Sequence, residues 1–373
     1  MNHGVCMETK KTTGPDSSSR TVHDQRLGVL DGWRAVSILL VLACHMVPLG
    51  PRRWDLNLSA GLAGMALFFT LSGFLILKTL TRDARVVPFL IRRVFRIAPL
   101  ASIGAIVYLI VQRRELNAYA PHLLYYLNYD VPHITEYTSH FWSLCVEAHF
   151  YLLAAILAGL LGRSGLCLLP LIGLAVTVLR AREGVVESIL THQRVDEILA
   201  GCTLALICVD GLGPIGRVIR TLLRAIHPAL WGIAFGMSCL SISGPLQYLR
   251  PYFAALLVGS TLETPGPWHA VAGSRRVRYV AEISFALYVV HKLTMFGWMS
   301  TGSMLVKYGK RFLSLGLSFG LAHLSTFTLE RFWIDYGKKL CRRWDRYINR
   351  GKTNTNVVSV TGLMVEIKVD AVS

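Results

Sequence analysis

The sequence predicts an all-α membrane protein, a polytopic bundle of about ten transmembrane helices. Hydrophobic residues make up 53% of the 373 residues and charged residues only 16%, against roughly 25% charged in an average soluble domain. The mean hydropathy of +0.46 agrees. Long apolar segments recur from Leu27 to about Tyr336 without a polar, domain-sized interval. The predicted spans lie near residues 28–49, 60–79, 95–112, 141–161, 165–180, 196–209, 226–243, 248–262, 279–300 and 312–334.

The basic residues are grouped between the predicted spans. The net charge is +17, which by itself is also typical of nucleic-acid binding. If the N-terminus is cytoplasmic, however, most Lys and Arg fall on the cytoplasmic side, in segments such as "RRVFR" at 92–96 and "SRRVR" at 274–278. The positive-inside rule therefore explains the basicity. The sequence predicts a lipid bilayer around the chain, both termini in the cytoplasm, and no nucleic-acid partner.

The sequence divides into three predicted regions. Residues 1–26 lack the apolar core of a secretory signal and are predicted to be a disordered cytoplasmic tail. Residues 27–336 form one membrane domain, and residues 337–373 a basic cytoplasmic C-terminal tail. The eight cysteines contain no CxxC pair, so we expect reduced thiols packed among apolar residues, and we predict no metal site.

The stretch "LDGWRAVSILLVLACHM" carries two polar residues through a predicted span. Arg34 and His45 are eleven residues apart, about 16 Å along a helix and nearly on one face. An imidazole so deep in an apolar segment is typical of a functional site, although His45 could also serve only in packing. Arg34 has an equally ordinary alternative, which is to reach lipid headgroups from the helix entrance.

A second polar group lies in "SHFWSLCVEAHFYLL", residues 139–153. Glu147 needs a partner if it faces a bundle interior, and the predicted topology puts it in the same half of the membrane as His45. Trp142 at interface depth is typical of a membrane anchor, and His149 of a local helix-end residue. Glu147 is therefore the strongest functional candidate of this stretch.

These segments, taken in order, resemble the acyltransferase-3 family of membrane O-acyltransferases, in its short form without an additional periplasmic domain. The matching segments are Asp31, Gly32, Arg34, Ala35 and His45, "FFTLSGFLI" at 68–76, "RRVFRIAP" at 92–99, Trp142, Ser143, Leu144 and Glu147, "RVDEILAGCTLA" at 194–205, and "SFALYVVH" at 284–291. Two departures stand out. Ala148 and His149 replace the family's usual acidic residue and Gln, and Lys292 and Leu293 follow His291 where the family usually has Pro close by. The resemblance therefore assigns no role to His149 or His291.

The resemblance implies an acyltransferase, most often an O-acetyltransferase, of the bacterial inner membrane. The donor would be acetyl-CoA or another acyl-CoA, used as a substrate and not held permanently. The acceptor would be a carbohydrate or glycolipid hydroxyl, on a surface polysaccharide, a lipopolysaccharide sugar or a secreted lipo-oligosaccharide of the Nod-factor type used in nodulation.

The same resemblance suggests roles for individual residues. His45 would be the catalytic base, with Glu147 orienting it, and an acyl-histidine relay is the alternative. Trp142 and Ser143 would contact the acceptor. Arg34, Arg92, Arg93 and Arg96 would bind the CoA phosphates, although topology alone also explains the "RRVFR" cluster.

Two other function classes remain open from the residues. A translocator of polysaccharides or lipid-linked sugars would use buried polar residues to line a path. A proton-coupled transporter would use His45 and Glu147 as relay groups. Only the acyltransferase hypothesis predicts turnover of a thioester.

Overall fold

The computed structural model describes residues 17–295 and 301–349, and all of its regular elements within these ranges are helical. This confirms the predicted all-α class. The α-helices are α1 Ser17–Met46, α2 Leu56–Arg82, α3 Val86–Val111, α4 Tyr119–Leu123, α5 Trp142–Gly165, α6 Leu169–Glu183, α7 Thr191–Arg194, α8 Asp196–Cys208, α9 Gly213–Ala225, α10 Pro228–Ser238, α11 Arg250–Glu263, α12 Pro267–Ala272, α13 Arg275–Glu282, α14 Ser284–Val290 and α15 Met304–Ser325.

Fewer helices are long enough to cross a membrane than the sequence predicts. Within the described ranges, five segments have sufficient length and apolarity, namely Gly28–Met46, Leu56–Arg82, Val86–Val111, Ser139–Glu183 and Met304–Asn349. A sixth is reached if α8 and α9, bent by 98° at their junction, count as one span. The predicted count of about ten is thus not confirmed. Helix α8 shows the reason, because it has 13 residues where a bilayer requires about 20, and its apolar side chains are buried against other helices.

The helical structure extends into both predicted tails. Helix α1 begins at Ser17, inside the tail predicted over residues 1–26, and the last helical segment continues to Asn349, past the predicted boundary at 336. Residues 1–16, 296–300 and 350–373 lie outside the described part of the chain. The tails and the domain boundaries therefore stay predictions.

Helix α2 is the most enclosed long helix, and it packs against α1 on one side. The Ser37 hydroxyl donates a hydrogen bond to the Gly64 carbonyl at 2.8 Å. A Cβ atom at Gly64 would lie 2.9 Å from the Ser37 carbonyl oxygen, and one at Gly61 would lie 2.8 Å from the Cys44 sulfur. Small residues of this kind let helix backbones approach closely in membrane proteins. The α1–α2 contact thereby sets the position of the end of α1 that carries His45.

The opposite side of α2 meets α8 with the backbones in direct contact. A Cβ atom at Gly73 would lie 1.9 Å from the Ile198 carbonyl oxygen, and a Cβ atom at Gly201 would lie 2.0 Å from the Thr70 carbonyl oxygen. Neither position has room for a side chain, and backbone atoms have little freedom to move away. The crossing of α2 and α8 therefore depends on glycine at both positions.

Replacing Gly73 with alanine should prevent this crossing, because the added methyl group would overlap a backbone carbonyl and force the helices apart. Overpacking in a core typically costs about 1–3 kcal/mol, and contact with a backbone oxygen should exceed that range. We expect much less protein in the membrane and a lowered thermal unfolding midpoint in detergent. Gly236→Ala is the matched control, since no atom lies within 4 Å of a Cβ placed there. An unfolding midpoint unchanged in Gly73→Ala would show that the two helices do not pack in this way.

Candidate functional site

A cavity of about 600 Å³ lies at the end of α1 and is lined by the imidazole of His45. We call it the histidine cavity. Its walls combine aromatic, imidazole and charged side chains with the aliphatic residues of α1 and α2. The polar and aromatic residues that line it are His45, Ser139, His140, Trp142, Glu187, Ser188, Arg194 and Tyr288.

The His45 imidazole is held by the backbone of its own helix. Its Nδ1 atom lies 3.0 Å from the carbonyl oxygen of Val41. A carbonyl oxygen only accepts hydrogen bonds, so Nδ1 carries the proton in the neutral ring and Nε2 has a free lone pair. The geometry thus gives His45 a nitrogen able to accept a proton, in a side chain that lines the cavity.

Two further histidines, His291 and His140, lie close to His45. The His45 and His291 ring centroids are 5.1 Å apart, and those of His291 and His140 are 4.9 Å apart. His291 Nδ1 donates to the Tyr288 carbonyl at 2.8 Å, and His140 Nε2 to the Val289 carbonyl at 3.3 Å. The remaining nitrogen of each of these two rings is buried without a hydrogen-bond partner in the structure. Even so, the described residues include no group of three His, Cys, Asp or Glu side chains arranged to hold a metal ion.

A second cavity, of about 610 Å³, is lined by Arg34 of α1. We call it the arginine cavity. Five guanidinium groups line it together with three carboxylates, so that positive charge prevails. The charged lining residues are Asp31, Arg34, Arg96, Arg275, Arg278, Glu282, Glu330 and Arg331. Arg34 faces Asp31 across 3.9 Å, which is longer than a hydrogen bond.

A narrow cavity of about 60 Å³, here the connecting cavity, shares Arg34 and Arg96 with the arginine cavity. Glu147 lines it as well. The Glu147 carboxylate accepts hydrogen bonds from Ser72, at 2.5 Å, and from the Tyr151 hydroxyl. Glu147 is therefore buried beside the arginines and has no contact with the histidine cavity. The structure does not bring Glu147 and His45 together as a hydrogen-bonded pair.

Aromatic rings stand between the connecting cavity and the histidine cavity. Phe68 lines the former and Tyr288 the latter, and their rings stack with centroids 5.9 Å apart and planes 9° apart. Phe69 packs edge-on against Trp142, with centroids 5.8 Å apart. The stacked pair of Phe68 and Tyr288 thus brings a residue of one cavity into contact with a residue of the other.

The other residues predicted for the site have varied positions. Trp142 lines the histidine cavity. The Ser143 hydroxyl is buried and hydrogen-bonds to Tyr288 at 2.5 Å. Arg93 lines the connecting cavity, with its guanidinium 5.9 Å from the Tyr151 ring centroid. Arg92 instead faces Asp83 at 3.8 Å, outside the lining of the arginine cavity.

The structure adds cavity residues that sequence reasoning missed. His140 and Arg194 line the histidine cavity. Arg194 begins a segment that carries the family resemblance and His140 lies two residues before another, but the sequence analysis assigned neither a role. Arg275 and Arg278 belong to the "SRRVR" segment, which was interpreted as a topology signal only. Clustering of arginines was the available clue, but the sequence does not show that α13 lies beside α1.

Comparison with known proteins gives one match. A protein-family model described as an acyltransferase domain matches residues 27–331 of the chain. No curated protein and no solved structure matches it.

Proposed function

The chain belongs to the acyltransferase-3 family, and from this premise we propose that it is a membrane O-acetyltransferase that transfers acetyl from acetyl-CoA to a carbohydrate hydroxyl. One observation carries the proposal: a single helix, α1, bears an arginine at one cavity and a proton-accepting histidine at another. The two groups are eleven residues apart on a continuous helix, about 16 Å along its axis. Donor binding and base catalysis are thereby given separate places along one helix.

The arginine cavity suits the nucleotide end of an acyl-CoA. The phosphates of CoA bind well to guanidinium groups, which donate two parallel hydrogen bonds to such oxygens. We assign this role to Arg34 and Arg96, extended by Arg275, Arg278 and Arg331 of the same cavity. The acyl end of the donor would then point past Arg34 toward the connecting cavity.

The histidine cavity suits the acceptor. A flat ring such as Trp142 packs against the apolar face of a sugar, and the Nε2 atom of His45 accepts the proton of the attacking hydroxyl. The hydroxyl oxygen forms a bond to the thioester carbon, the carbon–sulfur bond breaks, and the proton held by His45 passes to the sulfur that leaves. In the alternative relay, His45 first takes the acyl group itself.

Glu147 enters the proposal as a positioning residue. It lines the connecting cavity together with Arg34 and Arg93, and its carboxylate is oriented by Ser72 and Tyr151. A buried carboxylate at this point would hold Arg34 in place at the inner end of the donor site. Glu147 would therefore affect catalysis by positioning the acyl-CoA donor and not by orienting the imidazole of His45.

We further propose the bacterial inner membrane as the location, with both termini and the arginine cavity facing the cytoplasm, where acyl-CoA is made. Surface polysaccharides, lipopolysaccharide sugars and Nod-factor-type lipo-oligosaccharides are the proposed acceptor classes. The translocator and transporter hypotheses explain neither the family membership nor an arginine-lined cavity and a histidine-lined cavity at separate places along one helix.

The direct experiment measures thioester turnover by purified protein in detergent or nanodiscs, followed by mass spectrometry of surface and secreted glycans with and without the gene. We expect release of free CoA, and loss of an increment of about 42 Da per acetyl group from one glycan in the deleted strain. A protein that inserts normally but neither consumes acetyl-CoA nor alters any glycan would refute the proposal.

His45→Gln tests the base. Glutamine is similar in size and still forms hydrogen bonds, but it does not accept a proton, so we expect turnover to fall by about 100-fold or more, the usual contribution of general acid–base catalysis. The measurement is CoA release by variant protein present at wild-type levels in the membrane. Near-wild-type turnover would reduce His45 to a packing residue.

Arg34→Lys tests the donor site. Lysine keeps the charge but loses the planar pair of donors, so we expect the Michaelis constant for acetyl-CoA to rise by about tenfold, which corresponds to about 1.4 kcal/mol of lost binding. Arg224→Lys is the matched control, since Arg224 also bonds a carboxylate, that of Glu263 at 2.7 Å, but does not line the arginine cavity. An unchanged Michaelis constant for acetyl-CoA in Arg34→Lys would mean that Arg34 does not bind the donor, and would favour its alternative role in contacting lipid headgroups.

A further inference from the structure

Five buried charged side chains surround the start of α8. Asp196 pairs with Arg180 at 2.5 Å, and Glu197 pairs with Arg194 at 3.4 Å and with Arg250 at 3.1 Å. None of the five is more than 2% exposed. Three arginines face two carboxylates, so the group carries an excess positive charge in a low-dielectric interior. Such a charge is costly to bury unless something balances it.

Arg194 is the member of this group that reaches a cavity. It lines the histidine cavity together with His45, and its guanidinium lies 5.6 Å from the centre of a Trp142 ring. Its Nε atom is buried and has no hydrogen-bond partner in the structure. A charged donor without an acceptor is unfavourable in a dry interior, and a bound molecule with a negatively charged oxygen would relieve it.

The other two arginines differ from Arg194. Each of the three guanidinium nitrogens of Arg180 donates a hydrogen bond, one to Asp196 and the others to the carbonyl oxygens of Val185 and Val186. Arg250 has two nitrogens without a partner, but it does not line the histidine cavity. Its contact with Glu197 holds the carboxylate that in turn faces Arg194. Of the three arginines, Arg194 alone has both a nitrogen without a partner and a place in the lining of the cavity that contains His45.

The proposed reaction creates a negative oxygen in this space. When the acceptor hydroxyl attacks the thioester carbon, the carbonyl electron pair moves onto its oxygen, and the pair returns when the carbon–sulfur bond breaks. A fixed donor aimed at this oxygen lowers the barrier, because it requires no rearrangement at the moment of reaction. His45 supplies the base, but it supplies no donor for the oxygen.

We propose that Arg194 stabilises the oxyanion of acyl transfer in the histidine cavity, with Glu197, Arg250 and Trp142 as positioning residues. The inference rests on the proposed function, since it takes acyl transfer from a thioester as given. The excess positive charge of the group is then balanced when the negative oxygen forms. Arg194 is a catalytic residue in this scheme because it contacts a reacting atom.

The test compares two reactions of the purified protein. One is transfer of acetyl to the acceptor, and the other is slow hydrolysis of acetyl-CoA without an acceptor, with water as the nucleophile. Both pass through the same oxyanion, but only transfer requires acceptor binding. Removing an oxyanion donor usually costs about 100- to 1000-fold in kcat, so we expect a loss of this size in both reactions of Arg194→Gln.

Arg194→Lys keeps the charge and should lose less, about tenfold in kcat. The Michaelis constant for acetyl-CoA should stay within about twofold of wild type in both variants, because an oxyanion donor acts only in the transition state.

Arg180→Lys is the control for disturbing the buried charges, since Arg180 belongs to the group but does not line the histidine cavity. Its turnover per folded molecule should match wild type. If the Arg194 variants fail to insert, Trp142→Leu removes the ring beside the guanidinium and leaves the ion pairs intact. Hydrolysis without an acceptor is the reaction to measure in that variant, because Trp142 also contacts the acceptor in the proposed transfer. Hydrolysis should fall by about tenfold, and a wild-type rate of hydrolysis would overturn the proposal.

The possible results are separable. Hydrolysis unchanged in Arg194→Gln, with a raised Michaelis constant for the acceptor, would mean that Arg194 binds an anionic group of the acceptor, and it would overturn the oxyanion role. Unchanged rates in both reactions would overturn it as well. If the wild-type protein turned over no thioester, the proposed function itself would be wrong. If the wild-type protein is active and Arg194→Gln is equally active, only the oxyanion role of Arg194 would be wrong.

Discussion

The backbone contact between α2 and α8 is the constraint on which the arrangement of the site depends. Gly73 and Gly201 allow each helix to meet a carbonyl oxygen of the other, and this fixes the start of α8 relative to α2. Ser72 of α2 is thereby placed to hold Glu147, while Glu197 of α8 is placed to hold Arg194. One close crossing thus positions a residue beside each of two cavities that share no wall residues.

Charged residues are concentrated in two places, the arginine cavity and the buried group at the start of α8. The arginine cavity has an excess of guanidinium groups partly open to solvent, which suits a large polyanion that enters and leaves. The group around α8 is fully enclosed, where charge acts strongly because little water screens it. The same residue type therefore serves binding in one place and, in our proposal, transition-state stabilisation in the other.

The sequence predicted the helical class and the family, because these depend on composition and on motifs within single segments. The functional roles of Arg34 and His45 stay predictions, and the structure places these two residues of α1 at separate cavities. The pairing of Glu147 with His45 was inferred from their similar depth in the membrane, but depth does not determine which neighbour a side chain faces, and Glu147 faces Ser72 and Tyr151. The ion pairs of Arg180 with Asp196 and of Arg250 with Glu197 join separate parts of the chain, so no local pattern reveals them, whereas Arg194 and Glu197 are only three residues apart. The span count of about ten is not confirmed in the described residues, and a buried helix such as α8 shows why apolarity alone overestimates spans, because its side chains are as apolar as those of a helix in lipid.

The proposed function sets a requirement that the present arrangement does not meet. The connecting cavity holds only about 60 Å³, a few times the volume occupied by a single water of about 10–15 Å³, and the stacked rings of Phe68 and Tyr288 close it toward His45. An acyl chain on its thiol arm needs more room than this. In our proposal a donor bound at Arg34 would pass these rings on its way to His45, and Tyr288 is anchored by its hydroxyl to Ser143 and the His140 carbonyl, at 2.5 Å each. Movement of these rings would displace the same tyrosine that lines the histidine cavity, so the proposed function would couple donor entry to the shape of the acceptor site. Such coupling would keep the thioester away from water until the acceptor cavity has rearranged, because the route to His45 is closed while the rings remain stacked.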